Sequence, residues 1–82
     1  IANGSLLVYP NPVSNYLTIE YIALDVKSIA IYNIMGSQLD YRNNLEGSIG
    51  QIDIALSQYQ SGIYFIEVKT QQANEVIKIQ KD

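Results

Sequence analysis

Short runs in which apolar and polar residues alternate make up most of this chain. In Tyr16–Tyr21, for example, Leu17, Ile19 and Tyr21 fall on one face and the intervening residues on the other. Such alternation is typical of a half-buried β-strand. The pattern predicts seven strands, at Leu6–Tyr9, Tyr16–Tyr21, Ser28–Ile34, Ser37–Asn43, Gln51–Leu56, Ile63–Thr70 and Glu75–Lys81.

Turn-forming residues separate these runs. Gly36 and Gly62 are expected to supply a positive φ in the turns before the fourth and sixth strands, and Asn43–Gly50 is expected to form a loop. Seven short strands without a long helix predict an all-β fold, a seven-stranded immunoglobulin-like antiparallel β-sandwich. The 82 residues suffice for one domain, and we expect a linker at residues 1–5 and the sandwich at residues 6–82.

One apolar run is interrupted by Pro10-Asn11-Pro12 and resumes at once. Proline fixes φ, lacks an N–H and pushes the preceding residue toward extended geometry. The segment is therefore predicted to be a stiff corner at which the chain leaves one sheet for the other, with Val13 and Leu17 returning to the core. Tyr64, on the inward face of the sixth strand, is expected to be buried with its hydroxyl hydrogen-bonded.

Composition removes several classes of function. The net charge is −3 with five Lys and Arg, so nucleic acid is not an expected partner. The chain has no Cys and no His, which excludes Ser-His-Asp and Cys-His arrangements and the usual zinc ligands. Glu20, Asp53 and Glu67 stand singly at positions expected to face solvent. The sequence therefore predicts neither an enzyme nor a cofactor.

Oxygen-bearing side chains gather near the fourth strand: Asp40, Asn43, Asn44 and Glu46. Calcium prefers such ligands, so the Asp40–Glu46 region is open to interpretation as a cation loop. Asn-rich segments also form plain turns for backbone reasons, and the spacing matches no EF-hand. The sequence leaves both interpretations open and favours the turn.

The last predicted strand combines an apolar face with basic residues. Ile77 and Ile79 are predicted to face inward, and Lys78 and Gln80 outward, while Lys81 adds a second positive charge near the end. If this strand lies at a sheet edge, its lysines would discourage self-pairing, and weak self-association through edge strands stays open. An accessible edge strand can also be read by a partner through strand addition.

Four stretches of the chain carry a family resemblance: VYPNPVSNYLTIE (8–20), IAIYNIMGSQL (29–39), IDIALSQYQSGIYFIEVKT (52–70) and VIKIQKD (76–82). In this order they resemble the type IX secretion system C-terminal sorting domain, type A, of secreted Bacteroidetes proteins. The positions that match the family's motifs are Tyr9, Pro10, Asn11, Pro12, Gly36, Ser61, Gly62 and Tyr64.

The resemblance implies a sorting signal without catalysis of its own. It implies an N-terminal passenger protein, recognition in the periplasm by the type IX outer-membrane machinery, and export to the cell surface or medium. A sortase-like peptidase would then remove the domain, and the passenger would be attached to the surface or released. We expect recognition at Lys78, Ile79, Gln80, Lys81 and Asp82, and cleavage near Ala2, Asn3, Gly4 and Ser5.

A different class of function is kept as an alternative. A β-sandwich appended to a secreted enzyme can act as a carbohydrate-binding or adhesive module, which requires exposed aromatic side chains. The candidates are Tyr16, Tyr21, Tyr32, Tyr41 and Tyr59.

Overall fold

Strands make up the regular structure of this protein. The computed structural model describes residues 5–22, 25–43, 45, 49–71 and 73–82. Within these ranges it has no helix, and its strands are β1 Ser5–Tyr9, β2 Tyr16–Ile22, β3 Val26–Asn33, β4 Gln38–Asn43, β5 Ile49–Ala55, β6 Gly62–Thr70 and β7 Asn74–Lys81. No helix in the described ranges is long and apolar enough to cross a membrane.

Two antiparallel sheets pack face to face. The smaller sheet has the order β1-β2-β5, and the larger has the order β4-β3-β6-β7. The predicted seven-stranded, immunoglobulin-like sandwich is confirmed. In constant-type immunoglobulin domains the fourth strand belongs to the sheet of the first two, whereas here β4 pairs with β3 in the larger sheet.

The core lies between the sheets and consists of the inward residues of the alternating strands. Leu17, Ile19 and Ile54 come from the smaller sheet, and the larger sheet contributes Ile29, Ile31, Ile66, Val68 and Ile79. All eight are essentially inaccessible to solvent. Their alternation with outward polar residues confirms the inward faces that the pattern predicted for β2, β5, β6 and β7.

The turn after β3 corrects one predicted boundary. Ile34, expected to end a buried strand, lies outside β3 and is 70% exposed. The strand ends at Asn33 because its side-chain Oδ1 accepts hydrogen bonds from the backbone N–H groups of Met35, at 3.0 Å, and Ser37, at 2.9 Å. Gly36 completes this turn with a φ of +87°, which confirms its predicted conformation.

The predicted loop Asn43–Gly50 is too long, although the end of β4 at Asn43 agrees with the predicted fourth strand. β4 includes Asn43, and β5 already begins at Ile49, so Gly50 lies in a strand and pairs with Tyr21. The Tyr21 ring covers Gly50 so closely that an added Cβ would stand 2.6 Å from the Tyr21 hydroxyl oxygen. This glycine therefore provides space for a buried ring, which the sequence pattern did not reveal.

The prolines form the predicted corner between the two sheets. The chain leaves the smaller sheet at Tyr9, and Val13 then forms a parallel bridge with Lys81 of β7 in the larger sheet. Val13 and Leu17 are both fully buried, as expected. The peptide bonds that precede Pro10 and Pro12 are both cis.

Tyr64 closes the connection between β5 and β6. Its ring is buried, and its hydroxyl donates a 2.6 Å hydrogen bond to the backbone oxygen of Gln60. The Tyr59 ring lies beside it, with 5.8 Å between ring centroids. A tyrosine near the start of the sixth strand that bonds to backbone a few residues upstream is the tyrosine corner of immunoglobulin-like sandwiches. The prediction of a buried, hydrogen-bonded Tyr64 is confirmed.

Candidate functional site

One part of each of the four stretches that carry the family resemblance lies at the same end of the sandwich. Val13 bridges Lys81, Lys81 pairs with Gly62, and Tyr64 pairs with Asn33 at the end of β3. We call this the motif end and define it as residues 10–15, 33–37, 56–62 and 78–82. The chain enters β1 at the opposite end, where Ser5 pairs with Ile22. Residues far apart in sequence therefore form one surface, distant from the point of entry.

A shallow groove of about 250 Å³ crosses the motif end, lined by residues 33–35 and 60–64. Ser61 and Gly62 form one wall, and Gly62 has the positive φ that was predicted, +151°. Met35, which is 84% exposed, stands at the opposite wall. No charged side chain lines the groove, and the Tyr64 hydroxyl is already engaged with Gln60. The groove offers contact surface but no acid, base or metal ligand.

Asn11 attaches the proline corner to the last strand. Its side-chain Nδ2 donates to the backbone oxygen of Lys78 at 3.3 Å, and its Oδ1 accepts from the Gln80 N–H at 3.0 Å. One amide side chain thus supplies a donor and an acceptor, as a residue of a neighbouring strand would. We call this pair of bonds the Asn11 clamp.

Val13 extends the clamp by backbone hydrogen bonds. Its N–H donates to the Gln80 oxygen and its own oxygen accepts from the Asp82 N–H, both at 2.8 Å. Together with the Asn11 clamp, these bonds occupy four consecutive outward groups on the edge of β7. The sequence placed the corner and the strand correctly but gave no signal that they touch.

The residues predicted to be recognised lie on both faces of β7. Lys78, Gln80 and Asp82 are exposed, whereas Ile79 is 1% exposed and belongs to the core. Lys81 also points inward and is 8% exposed, and its ammonium group donates to the backbone oxygen of Asp82 at 2.7 Å. Alternation along the strand explains this, because residues 79 and 81 share the inward face.

The predicted cleavage region falls largely outside the part of the chain that the structure describes. Ala2, Asn3 and Gly4 are not among the described residues. Ser5 is exposed and forms the first residue of β1. The first strand thus begins at the end of the sandwich that lies away from the motif end.

Charge is distributed unequally between the two sheets. All five basic residues lie on the strands of the larger sheet: Lys27, Arg42, Lys69, Lys78 and Lys81. The strands of the smaller sheet carry Glu20 and Asp53 and no basic residue. Two basic side chains are paired with carboxylates, Lys27 with Asp25 at 3.1 Å and Arg42 with Asp40 at 3.7 Å. The strands of the larger sheet also carry Asp40, Glu67 and Glu75, and Lys81 points inward, so the two signs of charge are mixed on this sheet.

The outward carboxylates take part in hydrogen bonds typical of strand surfaces. Asp53 accepts from the Thr18 hydroxyl at 2.8 Å across the β2–β5 pair. The Tyr32 hydroxyl lies 3.2 Å from Glu67 Oε1 and 3.3 Å from Gln38 Oε1. Because the hydroxyl has one proton, it donates to only one of these two oxygens at a time. Partial burial and the hydrogen bond to Glu67 raise the pKa of Tyr32 above its usual value. These contacts cross-link neighbouring strands.

The possible cation ligands that the structure describes lie along one strand. Asp40 and Asn43 both lie on β4, where the Asp40 carboxylate accepts from the Tyr41 N–H at 2.8 Å and pairs with Arg42. Asn44 and Glu46 lie outside the described residues. Among the described residues, no group of three or more Asp, Glu, His or Cys side chains could hold a metal ion.

The tyrosines proposed for carbohydrate binding do not form one exposed surface. Tyr21 is 4% accessible, and Tyr59 is half-buried against the core, so both are wrong as candidates for an exposed ring. For Tyr21 the burial agrees with the alternation of β2, which placed it on the face of Leu17 and Ile19. Tyr16 and Tyr41 are exposed but lie on different sheets.

Comparison with known proteins connects this surface to a family. The family model described as the secretion system C-terminal sorting domain matches residues 7–82. No curated protein matches the chain. The match spans the sandwich from β1 through β7 and includes all four segments of the motif end.

Proposed function

This chain belongs to the family of type IX secretion system C-terminal sorting domains, and from that premise we propose how the folded sandwich acts as a signal. A domain of this family is a C-terminal sorting signal for type IX secretion, which implies a secreted or cell-surface protein and an interaction with the secretion machinery.

We propose that the outer-membrane machinery recognises and binds the motif end, and that the passenger lies N-terminal to Ser5 at the opposite end of the sandwich. The observation that carries this is that the family motif positions Pro10–Pro12, Gly36 and Ser61–Gly62 lie at one end of the sandwich. A passenger joined at the far end would leave the groove and the exposed side of β7 accessible. Recognition and attachment would therefore not compete for the same surface.

Within the motif end, the proposed recognition residues have two roles. Lys78, Gln80 and Asp82 present exposed side chains to the machinery. Ile79 and Lys81 face inward, so their contribution is to fix the position of the strand. The exposed ammonium group of Lys78 favours an acidic group of the machinery at this contact, because opposite charges guide association and set its orientation.

We further propose that a sortase-like peptidase removes the domain in the Ala2–Ser5 region after transit through the periplasm. A cut before Ser5 would leave β1 and the rest of the sandwich unbroken, since the first described strand begins there. The passenger would then be attached to the cell surface or released into the medium.

The proposal is tested with a periplasm-targeted reporter fused in front of residues 1–82 and expressed in a strain that has a type IX system. We expect the reporter outside the cell when the domain is present and in the periplasm when it is absent. Mass spectrometry of the exported reporter would place the cut. Periplasmic retention of the complete fusion would refute the proposed function.

A charge reversal on the motif end tests which surface of the domain the secretion machinery recognises. Lys78→Glu should lower export, because it reverses an exposed charge beside the Asn11 clamp. Lys27→Glu is the matched control, since Lys27 is an exposed lysine on β3 of the same sheet, two strands away from β7. Equal export of the two variants would contradict recognition at the motif end.

A further inference from the structure

The outer edge of β7 is divided into a covered part and an open part. β7 is the last strand of the larger sheet and pairs on its other side with β6. From the Lys78 oxygen to the Asp82 N–H, the outward backbone groups are bound by Asn11 and Val13. From Asn74 to Lys78, no strand lies on this side within the part of the chain that the structure describes.

The backbone groups that the open part offers follow from the antiparallel pairing. In such a pair, alternate residues direct both N–H and C=O to the same side. Gln80 directs both groups outward, so Val76 and the N–H of Lys78 point outward in the same row. Val76 is also 63% exposed. An unpaired row of this kind is a template for another strand.

We propose that the open edge Asn74–Lys78 is a strand-addition site for an extended segment of the secretion machinery, which deepens the proposed function and rests on it. The structure already shows a segment seated on this edge, because Asn11–Val13 binds its continuation with strand-like hydrogen bonds. An incoming strand would run along Asn74–Lys78 and end where the Asn11 amide holds the Lys78 oxygen. The clamp thus sets the register of the partner strand.

Side chains around the open edge agree with this kind of partner. Val76 lies opposite Glu67, and Lys78 lies opposite Phe65, so apolar and charged groups alternate on the outer face. Backbone hydrogen bonds would supply affinity, and side chains on this face would supply selectivity. The other edge of the same sheet, β4, pairs with β3 through a register shift between Ile31 and Tyr32, a feature that disfavours strand addition.

A proline at an outward position removes one donor from the open edge. Val76→Pro deletes the N–H that would bind the partner but no hydrogen bond to β6, because that N–H points away from β6. Val76→Thr is the comparison variant, since it changes the side chain and keeps both backbone groups. We expect export of the reporter fusion to fall about tenfold further for Val76→Pro than for Val76→Thr.

The second variant is Lys78→Pro, compared with Lys78→Ala, and it deletes the next outward donor. Circular dichroism of each isolated 82-residue variant identifies those that keep the native spectrum. A folded proline variant that is exported as well as its comparison variant overturns the proposal. Retention of the unmodified fusion in the periplasm would instead refute the proposed function itself, so the two failures are distinguishable.

Discussion

The Asn11 clamp makes a quantitative prediction about stability. Asn11→Ala deletes two hydrogen bonds, to the Lys78 oxygen and from the Gln80 N–H, that join residues 67 and 69 positions apart in sequence. A hydrogen bond contributes about 0.5–1.5 kcal/mol net, and both bonds are exposed, so water replaces part of the loss. The variant should therefore lose about 1–2 kcal/mol of unfolding free energy.

Thermal unfolding followed by circular dichroism measures this loss. In a domain of this size, 1 kcal/mol corresponds to about 4–8 °C, so we expect the midpoint to fall by about 4–16 °C. Amide hydrogen exchange gives a second measurement, because the Gln80 N–H should exchange faster once Asn11 Oδ1 is absent, while the Tyr64 N–H inside the sheet should change less.

Asn15→Ala is the matched control for the clamp. Asn15 is an exposed asparagine in the same connection, and its backbone oxygen, which a substitution keeps, accepts from the Leu56 N–H at 2.8 Å. Its substitution should leave the midpoint almost unchanged. Equal midpoints and equal Gln80 exchange in Asn11→Ala and Asn15→Ala would refute the reasoning.

Three further substitutions test the fold near the motif end and in the smaller sheet. Tyr64→Phe removes the 2.6 Å bond to Gln60 and should cost about 1–2 kcal/mol in urea unfolding. Gly50→Ala places a Cβ 2.6 Å from the Tyr21 hydroxyl oxygen and should cost about 1–3 kcal/mol in the same measurement. Gly36→Ala meets no atom within 4 Å but must adopt a φ of +87°, so a loss of about 1 kcal/mol is expected in thermal unfolding. An unchanged midpoint in any of the three would contradict the corresponding contact or conformation.

Local patterns in the sequence were sufficient for much of the fold. Alternation placed all seven strands to within about two residues, a normal uncertainty for element boundaries. The conformations of Gly36 and Gly62 and the burial of Tyr64 also follow from nearby residues. The proline corner was predicted as a change of sheet because two prolines restrict the backbone directly.

The features that the sequence did not reveal depend on which strands become neighbours. The Asn11 clamp requires β7 to be an edge strand that passes the proline corner, and alternation within a strand carries no information on sheet order. The place of Gly50 beneath the Tyr21 ring depends on the β2–β5 register in the same way. The early end of β3 had a local cause, the Asn33 side chain, which competes with the strand for backbone N–H groups.

Deletion of the last strand does not isolate a recognition signal, because β7 also completes the core. Residues 75–82 include Ile79, whose loss alone should cost about 2–5 kcal/mol. Ile66 and Val68, both fully buried, would lose their neighbours on β7. Total stabilities of domains are about 5–15 kcal/mol, so residues 1–74 should unfold without a cooperative transition. A cooperative thermal transition of the fragment 1–74 would refute this expectation. If no such transition is seen, a loss of export after truncation reports unfolding of the domain and not the loss of a recognition signal. Substitution of the exposed Lys78 is therefore the more decisive test of recognition.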